Sequence, residues 1–465
     1  MKRFIVLFFW MSVCVAGLTA QEVTLISGVW ERGNPDIAGL YKVADGALHD
    51  VAFSKIDGNH RFVFALNQEE EGFYAIALNS TSTQHRYLFY LKPGDRLNLR
   101  ITEESYELTG DNTPENLAMA QWHDFVLPLE RKSVYFQRQN STYVDFFPLL
   151  DEKLEAMKSL PEANTPNSAF NAAFEEYKRN DFLFIAINFI QTPRSAHPAG
   201  EDFGDYYRNI DLPSLTRHCA LLDYPDGLSL IMSCYLSKKR IINAPADRGE
   251  MRYASLMEEL LVGSDAAQIA NDTIRGELAL MLARGVKTAQ HFETFLEKYG
   301  HCIVTGSQQE RLKETGLSLH RNEAGEKAPD FTFPDVNGKE FSLSSFKGKV
   351  VYLDIWATWC GWCRGEIPHL KKLEEEYKER IVFIGISIDD AKDIEKWKKF
   401  LTAEQLGGLQ LFAGDRATES LKKPYRIEGI PRFILVGKDG RLVSGDAPRP
   451  SSDEIRPMLD SALKK

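Results

Sequence analysis

The sequence predicts an α/β domain at the carboxyl end of the chain, preceded by a small β-rich domain and a mainly helical region. Three observations support this architecture. Strand and helix signals alternate beyond residue 323, which is typical of a mainly parallel sheet covered by helices. Short apolar runs separated by turn residues occupy 21–112, and helical periodicity dominates 113–322. At 465 residues, the chain is also too long for one ordinary core.

The amino terminus has the pattern of a secretory signal peptide. A short basic segment precedes the apolar run Phe4–Leu18, and small residues follow it. The run is shorter than the ~20 residues of a membrane-spanning helix, so we expect no stable membrane insertion. We predict that residues 1–20 are a signal peptide and that the protein is exported to the periplasm or cell envelope. A lipoprotein anchor at Cys14 is the weaker alternative, because no small residue directly precedes that cysteine.

The composition excludes several classes of function. The formal net charge is -10, from 56 basic and 66 acidic residues. Such a surface repels phosphate backbones, so we expect no nucleic-acid partner. Six cysteines are too few for a disulfide scaffold of this size. The ten histidines lack metal-ligand spacing, so we expect no metal site.

The β-rich domain is predicted from short apolar runs and one clear turn. The turn signal is Lys92-Pro93-Gly94-Asp95, and the segment after it alternates polar and apolar residues. This pattern indicates a small sandwich or barrel. The predicted strands are Val23–Trp30, Phe73–Leu78, Arg86–Leu91 and Arg96–Ile101.

In the helical region, apolar residues recur at helical spacing, as at Phe170, Phe174 and Tyr177. A polar and charged run from about 305 to 328 is predicted to be a linker. The helical region contains no recognisable catalytic motif. Further helices are predicted at about 264–285 and at 288–300. Buried free thiols are the favoured interpretation of Cys219, Cys234 and Cys302.

The C-terminal domain, residues 323–465, is predicted from alternating elements. Its predicted strands are Val350–Trp356, Ile381–Ile388, Gln410–Ala413 and Arg432–Val436. Three helices are predicted in this domain. The first ends at Lys378, the second extends from Asp390 to about Ala403, and the last begins at Ser452.

A pair of cysteines lies where the first of these strands meets its helix. Cys360 and Cys363 have the Cys-x-x-Cys spacing of a redox dithiol in this context. Backbone N–H groups at a helix N-terminus lack intrahelical acceptors and stabilise a thiolate, so Cys360 is expected to be the nucleophile. Cys363, one turn deeper, is expected to be the resolving thiol. Half of a zinc site is the alternative, but no second Cys-x-x-Cys is present.

Two stretches of this domain carry a family resemblance. They read GEKAPDFTFPDVNGKEFSLSSFKGKVVYLDIWATWCGWCRGEIP and GIPRFILVGKDGRLV. Together they resemble the thioredoxin superfamily, and they are most similar to its exported TlpA- or ResA-like thiol–disulfide oxidoreductases. The resemblance covers 323–465. It implies a thioredoxin-like fold with a central mixed sheet flanked by helices, and an enzyme that uses a redox-active dithiol without a further cofactor.

The resemblance also implies two groups for proton transfer. Asp354 lies six residues before Cys360 inside an apolar strand, where burial would raise its pKa. Glu366 lies three residues after Cys363, on the same face of the helix. We favour Glu366 as the proton shuttle, with Asp354 second. A solvated helix position is the alternative interpretation of Glu366.

The substrate surface is implied by the same resemblance. The Ile430–Pro431 peptide bond is expected to be cis and to lie against the dithiol, where the backbone edge at Ile430 can pair with a substrate peptide. Trp359 and Trp362 are further substrate-binding candidates. Trp362 replaces the proline of thioredoxin, and it either restores an N–H donor near Cys360 or supplies an exposed docking surface.

The implied function is reduction of disulfides in envelope proteins, as in cytochrome c-type biogenesis, with a membrane-embedded thiol electron donor recharging the dithiol. Three alternatives stay open. Oxidase or isomerase activity depends on redox potential rather than on the motif. A thiol peroxidase usually has Thr three residues before its reactive cysteine, where this chain has Ala357. A client-binding module for envelope assembly would rely on 21–322 and use the dithiol only as an accessory.

Overall fold

A computed structural model describes residues 23–33, 35–67, 70–138, 140–239, 253–286, 288–320, 323–427 and 429–464. The predicted signal peptide and the alternative anchor at Cys14 lie outside these residues. Within these ranges, no helix combines the length and apolar character needed to cross a membrane. The chain divides into two compact units between Leu278 and Ala279. The domain boundaries at 112/113 and 322/323 stay predictions.

The first unit begins with a sandwich of two four-stranded sheets, whose strand orders are β4-β1-β7-β8 and β3-β2-β5-β6. Apolar side chains of both sheets, including Ile26, Leu40, Phe89 and Leu97, form one core. The strands are β1 (Thr24–Trp30), β2 (Ile37–Ala44), β3 (Ala47–Lys55), β4 (Arg61–Leu66), β5 (Gly72–Ala77), β6 (Arg86–Leu91), β7 (Arg96–Ile101) and β8 (Tyr106–Leu108).

Helices follow the sandwich. The first begins where Thr113 accepts a hydrogen bond from the backbone N–H of Asn116, with Pro114 at the first helical position, a favourable N-terminal pattern. The helices are α1 (Pro114–Ser133), α2 (Tyr143–Met157), α3 (Ser168–Gln191), α4 (Asp205–Arg208), α5 (Leu212–Leu215), α6 (Gly227–Ser237), α7 (Tyr253–Leu261) and α8 (Asp272–Ala283). Helix α8 crosses the division between the units, and it begins later than the segment predicted from about 264.

The predicted linker between about 305 and 328 is wrong over most of its length. After α9 (Ala289–Tyr299), residues Gly306–His320 form helix α10. Its apolar face is narrow, because Leu312 and Leu319 are buried while most of its polar side chains are exposed. The sparse apolar spacing explains why the sequence pattern favoured a linker.

The C-terminal region is a five-stranded mixed sheet, with strand order β13-β12-β11-β14-β15. Strands β11, β12 and β13 are parallel, and β14 runs antiparallel to β11. The elements are β9 (Thr332–Pro334), β10 (Glu340–Ser342), β11 (Val350–Trp356), α11 (Gly361–Glu376), β12 (Ile381–Ser387), α12 (Ile394–Glu404), β13 (Leu409–Phe412), β14 (Arg432–Val436), β15 (Leu442–Ser444) and α13 (Ile455–Lys464).

Two apolar cores cover the two faces of this sheet. On one face, Leu370 and Leu373 of α11 pack with Leu459 of α13. On the other face, Phe333 and Tyr425 belong to a core that also includes residues of β11, β12 and β14. Because both faces are covered, the central strand β11 is almost wholly apolar. Its carboxyl end leads directly to the cysteine pair.

Candidate active site

The cysteine pair forms a disulfide at the N-terminus of α11. The Sγ atoms of Cys360 and Cys363 are 2.07 Å apart. Cys360 is the N-cap of the helix, and its Sγ accepts a hydrogen bond of 3.1 Å from the backbone N–H of Cys363. Both residues are 5% exposed. The helix N–H thus points at the sulfur of Cys360, the predicted nucleophile, and this donor belongs to Cys363 rather than to Trp362.

A buried carboxylate holds the loop before Cys360. Asp389 accepts hydrogen bonds from the backbone N–H and the hydroxyl of Thr358, the latter at 2.7 Å. It also accepts one of 2.6 Å from the hydroxyl of Ser387, at the end of β12. These bonds fix the backbone two residues before Cys360. Asp389 is a site residue that was not predicted, although an acid at the carboxyl end of a parallel strand was a usable signal.

Two tryptophans flank Cys360 in the sequence and are open to solvent. Trp359 is 62% exposed and Trp362 is 77% exposed. Large aromatic side chains are seldom so exposed unless they contact a partner. Of the two interpretations of Trp362, the exposed docking surface is the one that this position favours.

The loop before β14 lies against the disulfide. The Ile430–Pro431 peptide bond is cis, as the resemblance implies. Ile430 packs on the apolar cluster that contains both cysteines. The guanidinium of Arg432 donates to the carbonyl of Gly445 at 3.0 Å and pairs with Asp446 at 3.2 Å, so this side chain is oriented by β15 and the segment after it.

Asp354 lies on β11 in a row with two residues of neighbouring strands. It pairs with Gly385 of β12, which pairs with Gln410 of β13. A Cβ on Gly385 would stand 2.2 Å from Oε1 of Gln410, so a side chain at position 385 would displace the amide end of Gln410. That oxygen has no hydrogen-bond partner within the part of the chain that the structure describes. An acceptor of this kind favours a protonated group or a water beside it.

The surroundings of Asp354 raise its pKa. Burial is the main cause and raises the pKa to about 8, with further contributions from the charges of Glu374 and Glu366. Burial also raises the pKa of Glu374 to about 7, which the charge of Lys371 opposes. Nothing in the sequence singled out Glu374, because it stands in a run of charges typical of a solvated helix face. Its contact with the glycines at 407 and 408 depends on the folded chain.

Glu366 is buried and its carboxylate is held in place. It accepts hydrogen bonds from the backbone N–H and the hydroxyl of Ser451, at 3.0 and 2.9 Å. Its Oε1 is 3.9 Å from the guanidinium of Arg449. The solvated helix position considered for Glu366 is therefore wrong, because the segment before α13 covers the side chain. The structure brings both predicted acids into one electrostatic cluster.

The fold and the disulfide define the class of protein, an oxidoreductase with a thioredoxin-like C-terminal region. The Redoxin family model matches residues 323–460. The chain is 35% identical to the thiol-disulfide oxidoreductase ResA of Bacillus thuringiensis subsp. konkukian, over 31% of this chain and 78% of that protein. It is 38% identical to the thioredoxin-like protein YneN of Bacillus subtilis, over 18% of this chain and 46% of that protein.

A solved structure is also similar. The thioredoxin domain of a thiol-disulfide oxidoreductase from Bacteroides vulgatus is 30% identical, with 30% of this chain and 98% of that chain covered and a TM-score of 0.28. Through its C-terminal region, the chain belongs to the ResA-like thiol–disulfide oxidoreductases of the thioredoxin superfamily. It is an enzyme of thiol–disulfide exchange.

Proposed function

We propose that this oxidoreductase reduces disulfides in proteins outside the cytoplasm, with Cys360 as nucleophile. The observation that carries the proposal is the hydrogen bond from the N–H of Cys363 to the Sγ of Cys360. In the reduced protein, the same donor and the helix N-terminus would stabilise a thiolate on Cys360 at neutral pH. A thiolate is the attacking species in disulfide exchange.

The exchange has two steps. The Cys360 thiolate attacks one sulfur of the client disulfide, a mixed disulfide forms, and one client sulfur leaves as a thiolate. The Cys363 thiolate then attacks Sγ of Cys360, which closes the Cys360–Cys363 disulfide and releases the second client sulfur. Overall, the client disulfide gains two electrons and two protons, and the dithiol loses two electrons and two protons as it becomes the Cys360–Cys363 disulfide. No other cofactor is needed for this balance.

Asp354 is the group whose pKa best suits it to accept the proton of Cys363. A pKa of about 8 allows this carboxyl to gain or lose a proton near neutral pH. The carboxylate of Glu366 is instead held by two hydrogen bonds from Ser451. We therefore assign proton transfer to Asp354, and Glu366 contributes to the raised pKa that allows Asp354 to hold the proton it has accepted.

The setting of the reaction follows from the predicted signal peptide. An exported reductase works in an oxidising compartment, so its disulfide must be reduced again by an outside thiol donor. We propose a membrane-embedded thiol protein for that role, and disulfide-containing envelope proteins, including apocytochrome c, as clients. The exposed Trp359 and Trp362 and the backbone at Ile430 would contact the client.

The proposal is tested by trapping the redox state of the dithiol in cells. Free thiols are alkylated at the moment of lysis, and the shift of the protein on a gel counts the reduced cysteines. A Cys360–Cys363 pair that is mostly reduced supports a reductase, and a mostly oxidised pair supports an oxidase. Turnover of hydrogen peroxide by the purified protein, without reduction of a protein disulfide, would instead assign the chain to the thiol peroxidases.

A further inference from the structure

A groove of about 1050 Å³ lies beside the cis-proline loop, within the second unit. One wall includes Ile430 and Pro431, and Ile430 also packs on the cluster that contains the cysteines. The opposite wall includes Arg284, Val286 and the start of α9. These residues precede position 323, where the family match begins. A segment outside the matched region therefore lines the same groove as Ile430, a residue that packs on the cluster containing the cysteines.

The two walls are connected by a direct contact. The guanidinium of Arg426 donates to the carbonyl of Val286, with a nitrogen–oxygen distance of 3.4 Å. Arg426 has a left-handed backbone with a φ of 49° and lies shortly before the cis-proline bond. The segment that carries Arg284 is thus fastened to the loop that presents Ile430, which favours a fixed groove.

The groove has more basic than acidic side chains. Its lining includes four arginines against two acids, in a chain of net charge -10. Asp446 pairs with Arg432, and the guanidinium of Arg449 lies 3.9 Å from Oε1 of Glu366. Arg284 is exposed on the wall outside the family match. Like charges gathered in a cleft focus the electrostatic potential and attract ligands of opposite charge. The lining arginines are Arg284, Arg426, Arg432 and Arg449.

We propose that this groove binds an extended acidic segment of the client protein next to its disulfide, and that Arg284 contributes to this specificity. The inference rests on the proposed function. The groove is as large as the largest small-molecule pockets, so it has room for several residues of an extended chain. Backbone groups beside the cis-proline would fix the segment, and the arginines would select its charge.

The experiment compares two disulfide-linked peptides of one sequence, one flanked by Asp and Glu and the other by Lys. At low salt, the full-length reduced protein should reduce the acidic peptide with a kcat/KM about tenfold higher than that for the Lys-flanked peptide. Arg284→Glu should lower the ratio of kcat/KM for the acidic peptide to kcat/KM for the basic peptide at least about threefold. In the wild type, 0.5 M salt should also lower this ratio, because it shortens the Debye length to roughly 4 Å and screens the charges. Gln290→Glu, in the same wall, is a second variant with the same expected direction.

The matched control is Lys313→Glu, a charge reversal on α10 at a side chain that is 66% exposed and outside the groove lining. It should leave the peptide ratio unchanged. Equal kcat/KM for both peptides, or a ratio unaffected by both groove variants, overturns the inference. Failure of the wild type to reduce either peptide would overturn the proposed function itself, so the two failures are distinguishable.

Discussion

Both units of the protein contain carboxyl groups whose pKa values are raised by burial. In the first unit, burial raises the pKa of Glu130 to about 8 and that of Asp181 to about 6. In the second unit, the corresponding values are about 8 for Asp354 and about 7 for Glu374. The same physical cause thus acts in both places, and the pKa alone does not separate them.

The neighbours of these groups separate them. Asp181 accepts hydrogen bonds from Trp122 and Tyr224, at 2.8 and 3.0 Å, and lies near the buried ion pair of Arg86 and Asp226. A small cavity of about 50 Å³ is lined by Glu130 and Asp181, and its lining within the described ranges includes no cysteine. Asp354 instead lies on the strand that leads to the disulfide. A raised pKa indicates a catalytic role only where a reactive group stands beside it.

The largest expected effect is the loss of disulfide reduction when the nucleophile of the second unit is removed. Cys360→Ser removes the nucleophile, so disulfide reduction should fall below about 1% of the wild-type rate. An insulin-reduction assay measures this. The matched control is Cys219→Ser, which should keep full activity. This free cysteine of the first unit is exposed, so the prediction that it is buried is wrong. If only Cys219→Ser lost activity, the reactive cysteine would lie in the first unit, which would contradict the assignment.

The next effect concerns the stability of the first unit. Asp226→Ala leaves the guanidinium of Arg86, whose side chain is 5% exposed, without its partner. The free energy of unfolding should fall by about 3–5 kcal/mol. Chemical denaturation measures this loss. The control Glu70→Ala breaks the exposed pair with Lys42 and should cost less than about 1 kcal/mol. Equal losses would show that the cluster does not stabilise the fold.

The carboxyl on β11 should affect both rate and pH dependence. Asp354→Asn should slow resolution of the mixed disulfide by about 10- to 100-fold. In the wild type this step should accelerate as pH rises through about 8, since only the deprotonated carboxylate accepts a proton. Stopped-flow kinetics between pH 6 and pH 9 test this, and Glu366→Gln is the comparison. A larger defect in Glu366→Gln would return the shuttle role to Glu366.

The same residue should destabilise the protein at high pH. The folded-state pKa of Asp354, about 8, lies above its ordinary value of 3.8, so the folded state loses stability as pH rises between these values. Asp354→Asn should therefore be more stable than the wild type at pH 9, by more than about 1 kcal/mol, and about equal near pH 4. Urea unfolding at pH 4 and pH 9 measures the free energy of unfolding of both proteins. The control is Asp390→Asn, at an exposed carboxyl, which should not change the pH dependence of stability.

The smallest effect is expected from Glu374→Gln. Its negative charge helps to keep Asp354 protonated, so the substitution should lower the pKa of Asp354. The acceleration of the resolution step should move to lower pH, with little change in the maximal rate. Carboxyl-labelled NMR titration measures the pKa directly. An unchanged midpoint would mean that Glu374 does not act on Asp354.

The sequence predicted strands β11, β12, β13 and β14 well because their signals are local, whereas the three-residue strand β15 of the same sheet was missed. Strand β11 has the predicted bounds, since a continuous apolar run between a lysine and a turn leaves few alternatives. Strand β2 was missed, because Gly39 and Lys42 interrupt its apolar pattern. Asp389 and Glu374 were missed for another reason. Their roles depend on contacts with Thr358 and with glycines at 407 and 408, which only the fold creates.

Mass spectrometry of a trapped complex tests the central claim most directly. In Cys363→Ala, Cys360 can still attack a client disulfide, but no thiol remains at position 363 to release the client. A mixed disulfide between Cys360 and the client should therefore accumulate. Peptide mapping should find the client joined to position 360 and to no other cysteine of the chain. A client joined instead to Cys219, Cys234 or Cys302, or a variant that forms no mixed disulfide with any protein, would contradict the assignment.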